Sequence, residues 1–288
     1  MGKEEIVLKA AKEAIKRAVL ELPLDVIKSL QEAYKHEYSD TSKTVIASIL
    51  ENIELAKRTG RPICQDTGLP SFFIEIGRGF NCEMKLEQTL IRAVKEATDE
   101  IPLRPNSVNT LTQKNSGDNT GKLVPYFYYE FSEGDKLKII YFPKGAGSEN
   151  NSKLFMLNPS ENLKEVERII LEHVAVKACL SCPPIIVGVG LGGGGDIAMH
   201  LAKKALLRPL GSVNSEPILA DIEKRLLKSI NKTGIGPMSL GGGTTALAVH
   251  IEYADRHTAS LPVGIVFQCW AARRSQIIFD KDFNYTIS

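Results

Sequence analysis

The sequence predicts an α/β protein, in which a mixed β-sheet core is surrounded by helices and preceded by a helical N-terminal cap at residues 1–60. Two observations lead to this fold class. Within the cap, apolar side chains recur at helical spacing among lysines and glutamates. After residue 70, short apolar runs of strand length alternate with amphipathic helical patterns. We expect residues 1–288 to form a single domain, because no linker, internal repeat or low-complexity tract interrupts this pattern.

The individual elements follow from periodicity and from the residues that end it. The predicted helices are residues 4–22, 24–38, 44–58, 86–101, 161–180, 197–207 and 216–232, with Ser160 as the N-cap of the fifth. The predicted strands are residues 72–76, 124–132, 137–143, 185–189, 244–253 and 263–267. The Gly-containing turn at 133–136 predicts that the second and third strands pair as a hairpin.

Composition and charge exclude several classes of protein. Hydrophobic residues make up 43% of the chain and charged residues 24%, as in ordinary soluble proteins. The 36 basic and 34 acidic residues give a net charge of +2, which does not favour nucleic acid. No apolar run approaches the roughly 20 residues of a membrane span, and the N-terminus lacks the apolar region of a signal peptide. We expect a cytoplasmic protein that binds neither nucleic acid nor membrane.

Three polar loops carry the candidate chemistry. The first, residues 61–70, places a cysteine, an amide and a carboxylate at successive positions 64–66. The second is the Asn- and Gly-rich run 102–121, and the third is the glycine loop 143–150. Long irregular segments, and loops mounted between rigid elements, commonly carry function.

The chain has five cysteines, which are Cys64, Cys82, Cys179, Cys182 and Cys269. An odd number in a chain of this length is not a secreted disulfide framework. We interpret Cys82 and Cys179 as unliganded thiols. Cys179 and Cys182 have the spacing of a redox dithiol, but the helix-opening position of such a motif is missing. The cysteines also lack the two close pairs of a four-cysteine zinc site.

The other three cysteines each lie in a loop or at a strand edge beside Pro, Gly or another polar group. Three widely separated thiolates suit a [4Fe–4S] cluster, whose irons take cysteine sulfur. Three ligands instead of four leave one iron open as a Lewis acid for a substrate oxygen. The pattern alone leaves ordinary loop thiols as the alternative.

The glycine run 188–193 satisfies the dinucleotide-binding fingerprint between a predicted strand and a predicted helix. That fingerprint also requires a second strand that carries an acidic residue about twenty positions after the glycines. This strand is missing here, because residues 208–217 are predicted as a loop. We therefore interpret these glycines as positions where the backbone closely approaches a bulky cofactor or an anion.

One of the five histidines is a candidate functional residue. Four lie in predicted helices or strands with no polar motif beside them, and we interpret them as surface or core residues. His257 instead precedes a Pro-containing loop, twelve positions before Cys269.

Six motifs together resemble one family. They are Cys64-Gln-Asp-Thr-Gly, Asn115-Ser-Gly-Asp-Asn-Thr-Gly, Pro143-Lys-Gly-Ala-Gly-Ser-Glu-Asn, Cys182-Pro-Pro, Gly236-Pro-Met-Ser-Leu-Gly-Gly-Gly-Thr, and His257-Thr-Ala-Ser-Leu-Pro-Val with Gln-Cys269-Trp-Ala-Ala-Arg-Arg. Over nearly its whole length the chain resembles the iron–sulfur (class I) fumarate hydratases and their tartrate dehydratase relatives. It resembles their N-terminal, cluster-binding (alpha) part alone, without the C-terminal swivelling part.

The resemblance implies a role for particular residues. The ligands of a [4Fe–4S] cluster are then Cys64, Cys182 and Cys269. Asp66 matches the general acid of the family, and His257 matches the residue that supports this acid. The positions that match dicarboxylate-binding residues are Gln65, Arg104 and the backbone at Gly147.

The implied reaction is the reversible hydration of fumarate to malate, with tartrate dehydration as the close alternative. In the family, the general base and further cationic substrate contacts belong to the C-terminal part. The resemblance therefore implies a separate beta subunit and an assembly of two alpha–beta pairs. A cluster-binding sensor without catalysis is a third hypothesis. Asp66 and Arg104 disfavour it, because a sensor needs no site for a substrate carboxylate.

Overall fold

The structure is a computed structural model that describes residues 2–288. Contacts divide the chain into two compact units. One unit holds the residues up to Pro23, together with 52–146 and 273–288, and the other holds 24–51 and 147–272. Residues of the predicted N-terminal cap belong to both units. The single-domain organisation stays a prediction.

The fold class is confirmed, because the chain is mixed α/β with two mixed sheets. The helices are α1 (Lys3–Leu20), α2 (Leu24–His36), α3 (Asp40–Thr59), α4 (Leu86–Glu100), α5 (Ala146–Glu149), α6 (Leu163–Lys177), α7 (Gly195–Ala205) and α8 (Pro217–Asn231). The strands are β1 (Ser71–Gly77), β2 (Tyr126–Ser132), β3 (Leu137–Tyr141), β4 (Lys153–Leu157), β5 (Ile185–Gly193), β6 (Ala246–Arg256), β7 (Leu261–Gln268), β8 (Ser275–Phe279) and β9 (Tyr285–Ile287). Short 3₁₀ helices lie at Ala178–Leu180 and Pro237–Ser239.

The first unit is built on a five-stranded sheet with the order β2-β1-β3-β8-β9. Helices α1 and α4 pack together, and their apolar faces join the sheet in one core that includes Ile15, Phe72, Leu90 and Ile139. These four side chains are completely buried. The amphipathic periodicity that predicted the two helices is therefore the pattern that buries them.

The predicted hairpin between the second and third strands is wrong. The two strands do not pair with each other, because β1 lies between them, parallel to β2 and antiparallel to β3. Burial explains this order. Most residues of β1 are buried, as a central strand requires, whereas β2 alternates exposed and half-buried residues and lies at the edge.

The second unit is built on a four-stranded sheet with the order β4-β7-β5-β6. Strand β5 runs parallel to β6 and antiparallel to β7. Helices α6 and α8 bury one face of this sheet, with Ile170, Val187 and Ile222 in the core, and α7 packs on the other face. The predicted N-cap of α6 is corrected from Ser160 to Asn162, whose side chain accepts hydrogen bonds from two N–H groups of the first turn.

Glycines let α7 lie directly on its sheet. A Cβ atom at Gly188 would come within 2.2 Å of the Ala202 carbonyl oxygen, and one at Gly190 within 2.0 Å of that of Ala198. The fingerprint-like glycines of β5 thus face a helix of their own unit, which corrects their interpretation as a surface for a cofactor or an anion. No helix within residues 2–288 is long and apolar enough to cross a membrane.

Replacing Gly190 by Ala tests this packing. The added methyl group forces α7 away from β5, so we expect the free energy of unfolding to fall by about 3 kcal/mol, the upper end of ordinary overpacking costs. Denaturant unfolding monitored by circular dichroism measures this change. Gly2→Ala is the control, since nothing lies within 4 Å of a Cβ atom there. Equal stability of the two variants would contradict the packing argument.

Candidate functional site

Two of the predicted cluster ligands lie together at one end of the second unit's sheet. Cys182 precedes β5 and Cys269 follows β7, and these strands are antiparallel neighbours with Ile186 opposite Gln268. The pairing extends beyond the strands, because the Trp270 N–H donates a hydrogen bond of 3.2 Å to the Cys182 carbonyl oxygen. Antiparallel pairing thus brings two cysteines that are distant in the chain to the same end of the sheet, which we call the sheet edge with Cys182 and Cys269.

Polar contacts connect the predicted substrate-binding backbone at Gly147 to the Cys182 loop. The side-chain amide of Asn151 donates to the Gly147 carbonyl oxygen at 2.8 Å and to the Ser181 Oγ at 3.0 Å. Asn151 and Ser181 are buried, whereas Gly147 is exposed. A buried amide therefore fixes Gly147 relative to the residue that directly precedes Cys182.

A second glycine loop, residues 236–243, supports the same cysteine loop from another direction. The Met238 N–H donates to the Pro183 carbonyl oxygen at 2.7 Å, and the Ser239 Oγ donates to the Cys179 carbonyl oxygen at 3.0 Å. Both Met238 and Cys182 have positive φ angles, of 49° and 50°. Non-glycine residues hold that conformation only where surrounding contacts stabilise it.

A buried carboxylate holds the far end of this glycine loop. Glu37 is only 3% exposed, and its side chain accepts hydrogen bonds from the N–H groups of Gly243 at 2.8 Å and Thr244 at 3.1 Å. It also accepts from the N–H groups of Tyr38 at 3.0 Å and Ser39 at 3.3 Å. Burial opposes ionisation of this carboxyl group, but the hydrogen bonds outweigh that cost and lower the pKa of Glu37.

In the first unit, the carboxylate of Asp66 has a fixed orientation. Its Oδ2 atom accepts from the Ala146 N–H at 2.9 Å, and its Oδ1 atom accepts from the Gly68 N–H at 3.0 Å. The backbone oxygen of Asp66 accepts a hydrogen bond of 2.6 Å from Nη1 of Arg273, which is 1% exposed. A Cβ atom at Gly145 would lie 3.1 Å from the Asp66 Oδ2 atom, so Gly145 leaves room for this carboxylate.

Arg104 is anchored by its backbone beside the same loop. Its carbonyl oxygen accepts from the Thr67 Oγ1 at 3.3 Å and from the Asn119 side-chain amide at 3.2 Å. Asn106, two residues further on, donates to the Gly68 carbonyl oxygen at 3.2 Å. The Arg104 side chain is exposed, so its guanidinium group is open to a ligand.

His257 does not lie beside the two cysteines of its own unit. It occupies the turn between β6 and β7, whereas Cys182 and Cys269 lie at the opposite end of the sheet, about 23 Å away along the eight-residue strand β7. The His257 Nδ1 atom accepts a hydrogen bond of 3.1 Å from the Ala259 N–H. Its support of Asp66 stays a prediction.

The donor set fits an iron–sulfur group. None of the five cysteines forms a disulfide. Within residues 2–288, no three His, Cys, Asp or Glu side chains converge to hold a single metal ion. The cysteines of a [4Fe–4S] cluster bind separate irons, so such convergence is not required. Burial raises the pKa of the Cys82 thiol, which packs against the core of the first unit.

Sequence reasoning missed several residues that support these loops. They are Glu37, Asn106, Asn151 and Arg273. Motif membership could have drawn attention to Arg273, which follows the Cys269-Trp-Ala-Ala stretch. No local signal marks the contact of Glu37 with the glycine loop, because Gly243 and Thr244 lie more than two hundred positions away in the chain.

Replacing Glu37 by Gln tests the support of the glycine loop. Since the folded-state pKa lies below the unfolded value, the carboxylate contributes stability above that unfolded value and loses it as the pH falls through the folded pKa. At pH 7 we expect Glu37→Gln to cost about 2 kcal/mol, because charged acceptors form the stronger hydrogen bonds. The difference from wild type should shrink below about pH 4, near the ordinary carboxyl range.

Urea unfolding at several pH values measures this dependence. The exposed Glu51→Gln is the control, on α3 of the same unit. A stability difference that stays constant from pH 7 to pH 3 would contradict the role of the ionised Glu37 side chain.

Comparison with known proteins shows the family of this chain. The fumarate hydratase (Fumerase) family model matches residues 8–278. A putative L(+)-tartrate dehydratase subunit alpha from Methanocaldococcus jannaschii is 48% identical over 267 residues, which cover 91% of this chain and 94% of that protein. The L(+)-tartrate dehydratase alpha subunits of Escherichia coli (strain K12) and Shigella sonnei are each 35% identical over 265 residues, covering 92% of this chain and 88% of theirs. The chain therefore belongs to the fumarate hydratase family.

Proposed function

We propose that this chain is the alpha subunit of an iron–sulfur hydro-lyase that interconverts fumarate and malate, with an active site completed by a beta subunit. One observation carries this proposal. The family match over residues 8–278 includes every residue that the motifs single out for cluster binding, catalysis and substrate binding. Five cysteines outside disulfides fit the reducing cytoplasm, where such an enzyme would work.

The proposed ligands of a [4Fe–4S] cluster are Cys64, Cys182 and Cys269. The joint position of Cys182 and Cys269 at one sheet edge supports this assignment, as does the soft sulfur donor set. When bound, the cluster supplies a Lewis-acidic iron for the substrate hydroxyl group.

The proposed general acid is Asp66. Hydroxide is a poor leaving group, so a proton from the Asp66 carboxyl group must accompany the departing hydroxyl. The N–H groups of Gly68 and Ala146 hold both carboxyl oxygens in place, which supports a positioned proton donor. Support of this acid by His257 belongs to the same proposal and rests on the motif alone.

The proposed substrate contacts are Gln65, Arg104 and the backbone at Gly147. Removal of the proton next to a carboxylate builds up negative charge, which a fixed cation stabilises. The exposed guanidinium group of Arg104, on an anchored backbone, meets this requirement. Gly147 is likewise exposed and held by Asn151.

The proposal assigns the general base and the remaining cationic contacts to the beta subunit. The relatives with the highest identity given above are named as alpha subunits, which supports a two-chain enzyme. The chain by itself should bind the cluster and be nearly inactive. An assembly of two alpha–beta pairs is part of the same proposal.

L(+)-tartrate dehydration is the second candidate, and the names of the relatives favour it. Fumarate and tartrate chemistry share a four-carbon dicarboxylate and the loss of a hydroxyl group next to a removable proton. Initial rates of the alpha–beta complex with malate and with L(+)-tartrate distinguish the two. The substrate with the larger kcat/KM identifies the enzyme.

Replacing Asp66 by Asn distinguishes a catalytic subunit from a cluster-binding sensor that catalyses no reaction. Loss of the proton donor should lower the kcat of the alpha–beta complex at least about 100-fold, while iron content stays at the wild-type value. The matched control is Asp99→Asn, an exposed carboxylate on α4. Unchanged turnover in Asp66→Asn would remove the assigned acid and favour the sensor.

Cysteine variants test the cofactor. After anaerobic reconstitution, the wild-type chain should hold about four irons, with a visible iron–sulfur spectrum. Changing Cys64, Cys182 or Cys269 to Ala should abolish this spectrum. Cys82→Ala and Cys179→Ala serve as controls and should keep it. Iron-free wild-type protein, or equal retention by all five variants, would overturn the cofactor assignment.

A further inference from the structure

The side-chain amide of Gln268 is a buried polar group without a protein partner. The residue is 1% exposed, and neither its Nε2 nor its Oε1 atom has a hydrogen-bond partner within residues 2–288. Burying an amide without a hydrogen bond is costly, and native proteins rarely leave such groups unpaired. This position therefore needs an explanation that the protein chain alone does not supply.

Three other buried polar residues of the same unit are paired. Glu223 accepts from the Asn214 side-chain amide and the Ile251 N–H at 2.8 and 2.7 Å. The Thr245 Oγ1 atom accepts from the Gly236 N–H at 3.1 Å, and a ring nitrogen of His250 lies 3.1 Å from the Ala205 carbonyl oxygen. The unpaired amide of Gln268 is thus not a general property of this core.

The position of Gln268 points to the cysteines. It is the last residue of β7, directly before Cys269, and it lies opposite Ile186 of β5. Strand alternation places it on the face that also carries Gly264 and Val266. Helix α7 covers that face as far as the pair formed by Gly188 and Val266, since a Cβ atom at Gly188 would meet Leu206 at 2.8 Å. Gln268 lies one pair further, toward the sheet edge with Cys182.

We infer that the Gln268 amide belongs to the holo site, where its Nε2–H group donates a hydrogen bond to a sulfur atom of the iron–sulfur cluster. This inference rests on the proposed function. Hydrogen bonds to cluster sulfurs are an established means by which proteins tune these centres. Gln268 is therefore a positioning residue for the cofactor and takes no part in proton transfer.

A trapped water is the competing explanation for the amide. A buried water makes about three hydrogen bonds and settles where several polar groups lack partners. The Ser152 Oγ atom, directly before β4, is also buried without a partner, and the pairing of β4 with β7 places Ser152 on the Gln268 side of the Lys153–Ile265 pair. A cluster bound next to Cys269 supplies a sulfur acceptor for the amide, and the rate at which the cluster is lost distinguishes this contact from a water.

The inference predicts opposite effects of one substitution in the two forms of the protein. In the iron-free chain, Gln268→Leu removes an unpaired buried amide, so the melting temperature should rise by about 2–4 °C. In the reconstituted chain, the same substitution removes a contact to the cluster. Its visible absorbance should then decay roughly tenfold faster in air than in wild type, as for other residues that support metal ligands.

Differential scanning fluorimetry of the iron-free chain and the rate of bleaching of the anaerobically reconstituted chain measure the two effects. Gln268→Met is a second apolar variant of similar volume, in case the branched side chain does not fit. Ser152→Ala is the matched control, because it removes another buried oxygen without a partner but none of the atoms proposed to contact the cluster. It should leave the bleaching rate unchanged.

Two outcomes would overturn the inference while the proposed function stands. A lower melting temperature of both iron-free Gln268 variants would mean that the amide has a protein partner. Wild-type bleaching rates in both variants would mean that the amide does not contact the cluster. Failure of the wild-type chain itself to bind iron would instead refute the proposed cofactor, and the inference with it.

Discussion

The antiparallel pairing of β5 with β7 is the constraint on which the second unit depends. It joins segments about eighty positions apart in the chain and fixes Cys182 and Cys269 at the same sheet edge. Helix α7 lies directly on glycines of both strands, Gly188 and Gly190 of β5 and Gly264 of β7, so these positions have no room for a side chain. Close packing of a helix on a sheet and positioning of the two cysteines are therefore parts of one arrangement.

The cysteine loop itself is not regular structure, so side-chain and loop contacts must hold it. Cys182 and Met238 have left-handed backbone conformations, which are costly for residues with a side chain. Asn151 supports the loop on one side, and the glycine loop held by Glu37 supports it on another. These supports are buried and hydrogen-bonded, which is the condition for polar groups to stabilise a loop.

Hydrogen bonds also fix the carboxylate of Asp66 in the first unit. Asp66 lies in a loop between a helix and a strand, and backbone N–H groups determine the direction of its carboxylate. The buried Arg273 donates a hydrogen bond to the carbonyl oxygen of Asp66, so it also holds this loop. A single carboxylate orientation is what the role proposed for Asp66 requires.

The sequence by itself determined the helices, most of the strands and the chemical types of the candidate site, because periodicity and turn residues act among near neighbours. Motif resemblance indicated Cys64, Cys182 and Cys269 as the candidate cluster ligands. Tertiary structure decided the pairing of strands, since the turn at 133–136 predicted a hairpin that the insertion of β1 replaces. It also decided the role of Glu37 and the isolation of the Gln268 amide. Both depend on which distant groups come within about 3 Å, the range of a hydrogen bond, and no local pattern encodes that distance.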